Sequence, residues 1–135
     1  MKEVLLQEKY PVYYLEIDKA DTSFTNVDDI IAYLKAKVED HKAAKYIAEF
    51  DHYAHTKGLE QGEISDDIIA AKNLVFCFGI TLPNPQVMAV RPRSIGICDM
   101  KDRFVIDFLE APIQLANDTM EQWVKSIANQ LEVAA

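Results

Sequence analysis

Apolar and polar positions change period several times along the chain, and the changes divide it into strands and helices. Residues 11–18 (PVYYLEID) alternate, with Tyr13, Leu15 and Ile17 on one side and Tyr14, Glu16 and Asp18 on the other. Pro11 suits the first position of such a strand. After the connection ADTSFTN, either Asn26 with Asp29 or Thr25 with Asp28 has the cap-then-acid spacing of a helix start. Val27, Ile30, Ile31, Leu34 and Val38 then recur at helical spacing to about residue 41. Asp28 and Asp29 in the first turn and His41-Lys42 at the end match the helix dipole.

Residues 45–55 (KYIAEFDHYAH) read as a strand. Tyr46, Ala48, Phe50 and His52 share one side; Glu49, Asp51, Tyr53 and His55 share the other, and Ile47 is an apolar exception. A helix is the competing reading of the same residues. TKGLEQGEIS is a loop, and 65–72 forms a short helical turn. NLVFCFGI (73–80) is apolar on both sides, the pattern of a central strand covered on both faces. Pro83 and Pro85 end it, and 86–90 form one helical turn. Residues 94–100 and 104–109 are two strands joined as a hairpin at Lys101-Asp102-Arg103. Asp118 with Glu121 caps a last helix, whose apolar stripe is Met120, Trp123, Val124, Ile127 and Leu131. The expected fold is a two-layer α+β domain spanning 1–135. About five mostly antiparallel strands carry two main helices on one face.

This order is similar to that of a group of small bacterial domains, domain-of-unknown-function family 302. The likeness lies in the helix VDDIIAYLKAKV, the pair Asp51-His52, and the run from LVFCFGI through NPQVMAV to SIGICDMKDRFVIDFLEAP. It covers roughly residues 22–112 and departs from that family at LPNP and RPR. The resemblance implies a compact α+β fold and a dimer, and brings no catalytic motif with it.

Composition narrows the function classes. Fourteen Lys and Arg against 22 Asp and Glu give a formal net charge of -8, which argues against nucleic-acid or anionic-membrane binding, because phosphate contacts need clustered cations. The first residues lack a secretory pattern, and no apolar run approaches the roughly 20 residues of a membrane span. The expected compartment is the cytoplasm, with Cys77 and Cys98 reduced.

Several residues carry candidate chemistry. Arg91 and Arg93 flank Pro92 in a stiff segment and suit a carboxylate or phosphate; the plainer alternative is pairing with Asp99, Asp102 or Glu110. His52, with Cys77 or Cys98, would serve a thiol enzyme or a zinc or copper site, although no CxxC, HxH or HExxH spacing supports one. On a strand, His52 and His55 would point to opposite sides. Tyr13, Tyr14, Tyr46 and Tyr53 line either a pocket or a sheet-helix interface.

Strand alternation yields one more expectation. If Leu74, Phe76, Phe78, Ile95, Ile97, Phe104, Ile106 and Phe108 face the helices, the other sheet face carries Val75, Cys77, Gly96, Cys98, Val105, Asp107 and Leu109. That face is apolar enough to call for a cover, first a partner subunit and second a small molecule. The expected protein is therefore a homodimer through its sheet that binds a small anionic or apolar ligand near Arg91, Arg93 and the Pro83–Pro85 turn, with no cofactor or metal. His52, Cys77 and Cys98 complete the candidate site residues. The alternative is a metal- or thiol-dependent enzyme or redox protein using His52 with either cysteine. A third class is an interaction protein that docks through its acidic helix surfaces.

Overall fold

A computed structural model describes residues 1–129. Its architecture is α+β: one antiparallel six-stranded sheet with three helices among the described residues. The strands are β1 (Lys2–Leu6), β2 (Tyr10–Asp18), β3 (Ala44–Asp51), β4 (Ala70–Phe78), β5 (Arg93–Asp99) and β6 (Arg103–Leu109), in the spatial order β1-β2-β6-β5-β4-β3. The helices are α1 (Val27–Asp40), α2 (His52–Lys57) and α3 (Gln114–Lys125).

α1 forms where the 3.6-residue stripe predicts it. Val27, Ile30, Ile31, Leu34 and Val38 are all buried, and Asn26 caps the start by accepting the Asp29 N–H at 2.8 Å. These side chains meet Ile17, Leu74, Phe76, Ile95, Ile97, Phe104, Ile106 and Phe108 from the sheet, and Met120, Trp123, Val124 and Ile127 from the last helix region. Leu131, expected on that same stripe, lies outside the described residues. The opposite sheet face carries Val75, Cys77, Gly96, Cys98, Val105, Asp107 and Leu109, as alternation requires, none of them fully buried.

Four local expectations change. β1 was not anticipated, because its hairpin turn places Gln7 (φ 53°) and Glu8 (φ 61°) in left-handed backbone, a role normally signalled by Gly, Asn or Asp. The 45–55 segment is both structures in succession: β3 ends at Asp51, whose carboxylate accepts the Ala54 N–H at 2.8 Å and starts α2. The apolar exception Ile47 marks a register shift between Tyr46 and Ala48, so Tyr46 packs on the core while Ala48 and Phe50 fall on the opposite face. β4 begins at Ala70, inside the expected helical turn, and stands next to the edge strand with α1 over one face only. Finally, α3 starts at Gln114, four residues before the expected Asp118 cap.

Candidate functional site

The end of β4 sets up the site. Gly79 follows Phe78 with φ +103°, a left-handed backbone that favours glycine. A Cβ there would also lie 2.9 Å from Nη2 of Arg91, so the glycine admits that guanidinium. The chain then runs outward through Thr81 and Pro83. It makes a one-turn 3-10 helix, Pro85–Ala89, capped by Asn84, and returns into β5 at Arg93. Across from this connection, Ala111 to Ala116 leads from β6 into α3. Asn117 holds that leader in place: its Oδ1 accepts the Ala111 N–H at 2.7 Å, and its Nδ2–H donates to the Ala111 carbonyl at 3.0 Å. Between the two walls lies an apolar cavity of about 260 Å³.

Arg91 and Arg93 both line this cavity. Arg93 is 7% exposed and donates to the carbonyls of Val90 (3.3 Å) and Leu109, while its buried Nε–H has no acceptor among the described residues. Arg91 donates through Nη1 to the Thr81 carbonyl at 2.6 Å. Neither forms an ion pair among the described residues, and the carboxylates expected to neutralise them are engaged elsewhere or lack an arginine partner. Asp99 binds Lys19 at 2.8 Å and Asp102 binds Arg103 at 3.0 Å. Burial pulls the Arg93 pKa down, yet a guanidinium stays protonated at neutral pH. The result is positive charge beside apolar walls, without an ion-pair partner among the described residues, in an acidic protein.

A second apolar chamber of about 200 Å³ adjoins the first. Phe78, Gly79, Ile113 and Ala116 belong to both. Trp123, the chain's single tryptophan, stacks on Phe78 at 5.5 Å and so backs the shared wall.

The other predicted residues fall on the opposite sheet face and do not join the arginines. Lys2, Tyr14, Asp107, Gly96, Asn73 and Phe50 form one cross-strand row over the six strands. His52 extends it, with Nδ1 at 3.4 Å from Asn73 Oδ1. Cys98 pairs with Ala71, so Cys77 lies roughly 20 Å farther along β4, and the two thiols cannot share a bond or an ion. Burial, and secondarily the Asp107 carboxylate, push the Cys98 thiol up, away from thiolate chemistry. Because α2 is helical, the His52 and His55 rings do come together, at 6.2 Å, but no group of three or more His, Cys, Asp or Glu side chains suited to a metal occurs among the described residues. Tyr14 donates to Glu16 at 2.7 Å, which with burial raises its pKa to about 12 and keeps it a phenol. Tyr13 instead stacks on Phe108 at 4.9 Å, as an interface residue does.

Asp107 is half-buried beside Gly96, where an added Cβ would come within 3.1 Å of its Oδ1. Burial raises its pKa above the ordinary carboxyl value. The native state therefore holds a proton that the unfolded chain has already released. This contribution to stability is complete at low pH and is lost as pH rises from the ordinary carboxyl value through the raised native one. Asp107→Asn is expected to be more stable than the parent at neutral pH and to flatten that acid-side slope in urea unfolding across pH. An unchanged slope would show that Asp107 is solvated like any surface carboxylate.

Sequence reasoning singled out the arginines but missed Gly79, the Ile113–Ala116 wall and Asn117. A glycine immediately after an apolar strand was the available signal for the first. Asn117 carried none, since an Asn one position before an apparent Asp cap reads as part of the loop.

A protein-family model described as a family of unknown function (DUF6858) matches residues 1–129. The match supports an uncharacterised domain, as the resemblance implied, without identifying it as family 302. No curated protein and no solved structure matches. No helix of the described residues is long and apolar enough to cross a membrane.

Proposed function

The chain belongs to this family of unknown function (DUF6858), and we propose that it is a binding domain for a small anion with an apolar body. The observation that carries the reading is Arg93, a buried guanidinium that lines an apolar cavity and has no carboxylate partner among the described residues. Burying a charge without a counter-ion is costly, so the site gains most from an occupant that brings one. Arg91, less buried, supplies further donors at the mouth.

Trp123 provides the readout. Benzoate, acetate and inorganic phosphate are titrated against tryptophan fluorescence and, independently, by calorimetry. Benzoate is expected to bind, acetate only weakly, and Arg93→Met to reduce benzoate affinity by about tenfold or more, the loss of one charge-assisted interaction. Equal benzoate affinity in the parent and in an Arg91→Met/Arg93→Met double variant would sink the reading.

Self-association through the free sheet face is the second part of the proposal. Val12, Val75, Val105 and Cys98 stand there only half-buried around the Asp107 row, and a second copy of that face is the simplest cover. Light scattering should return a dimer that Val75→Lys converts to monomer; a parent monomer at high concentration would dismiss it. Use of His52 with Cys77 or Cys98 in redox or metal chemistry receives no support from the register. The cytoplasm is the compartment that suits two unpaired thiols. Kinship with family 302 rests on the pattern of residues 22–112, and the sheet order β1-β2-β6-β5-β4-β3 is the feature to compare.

A further inference from the structure

Resting on that reading of the arginine cavity, we infer that its ligand is an amphipathic monocarboxylate whose tail extends past Ile113 and Ala116 into the second chamber. Size is the first argument. Each chamber alone, at about 260 and about 200 Å³, falls below the roughly 300 Å³ at the small end of ligand sites. Phe78, Gly79, Ile113 and Ala116 line both, so the two chambers lie side by side, and their volumes taken together pass that bound.

The polarity of the two ends decides the ligand's shape. The second chamber is lined by no Lys, Arg, Asp or Glu among the described residues, and its two polar side chains each make an internal hydrogen bond. His41 Nδ1 accepts the Ala43 N–H at 3.1 Å, and Thr119 Oγ1–H donates to the Leu115 carbonyl at 2.9 Å. Nothing there asks for a second charge, so the far end of the ligand is hydrocarbon. Arg93 gives two of its five N–H donors to the Val90 and Leu109 carbonyls and Arg91 gives one to Thr81, so both guanidiniums keep free N–H groups and a positive charge for an anionic head. A monoanionic carboxylate suits this apolar cavity better than a phosphate, whose second charge costs more to desolvate.

The test is a ladder of ligands on the full chain: butyrate, octanoate, octanamide and octyl phosphate, read by Trp123 fluorescence and calorimetry. Octanoate is expected to bind on the order of a hundredfold tighter than butyrate, from its additional buried methylenes. Octanamide and octyl phosphate should both be weaker than octanoate. Thr119→Phe, which fills the second chamber without touching either arginine, should erase the advantage of octanoate and leave butyrate unchanged. Equal affinity for butyrate and octanoate in the parent overturns the tail assignment while leaving anion binding standing, and it needs no variant to fold. Octanamide or octyl phosphate binding as tightly as octanoate overturns the head assignment. Failure of every carboxylate to bind, benzoate included, removes the underlying reading as well.

Discussion

Trp123→Ala is expected to lower the free energy of unfolding by about 3–5 kcal/mol, the cost of emptying a large aromatic site in a packed core. Trp123 is 7% exposed and sits at a junction of rings: Phe78 stacked at 5.5 Å, Phe76 edge-on at 5.8 Å and His41 edge-on at 5.7 Å. Those three partners come from β4 and the end of α1, so one truncation loosens the contact between α3, the sheet and α1 together. Domains of this size typically have only about 5–15 kcal/mol in total, and the variant should unfold at a much lower urea midpoint, followed by far-ultraviolet circular dichroism. Trp123→Phe keeps an aromatic face against Phe78 and should recover most of the loss. A midpoint for Trp123→Ala within error of the parent would mean that α3 does not pack where the structure puts it.

The second large effect belongs to Asn117→Leu. Asn117 is 1% exposed, and its amide satisfies both the N–H and the carbonyl of Ala111, itself buried. Leucine is close in volume but leaves both groups unpaired away from water, each costing about 1–3 kcal/mol. The loss should therefore be on the order of 2–5 kcal/mol by urea unfolding. It should also be local: the Ala111 amide should exchange with solvent faster than amides of β5 and β6. Because residues 111–116 form one wall of the arginine cavity, carboxylate affinity should fall in the same variant. Loss of stability without faster exchange at Ala111 would place the cost elsewhere in α3.

The extent to which the site was legible follows from these residues. Arg91-Pro92-Arg93 stood out because two of the chain's three arginines occur in three residues of an acidic protein. Whether they were paired was not legible. Asp99, Asp102 and Glu110 are near in sequence, yet the first two have Lys19 and Arg103 as partners, and Lys19 lies far back in the chain. The histidine and cysteine alternative turned on one local ambiguity. Strand and helix propensities are nearly balanced over 45–55, and the Asp51 cap, a short-range contact that forms only once β3 has ended, decides where one gives way to the other.

Periodicity by itself determined α1, the faces of β4, β5 and β6, and so the split between a helix-covered and a free sheet surface. These are consequences of side-chain direction repeating every 3.6 or 2 residues, which no distant contact is needed to read. Only the tertiary structure decided the presence of β1, the early start of α3 and the cavity itself. Each depends on groups far apart in the chain: Glu3 opposite Tyr13, Asn117 reaching back to Ala111, and Phe78 and Arg93 brought against Ile113. Contacts of that kind are selected by packing and by the need to satisfy buried polar groups, neither of which leaves a local mark.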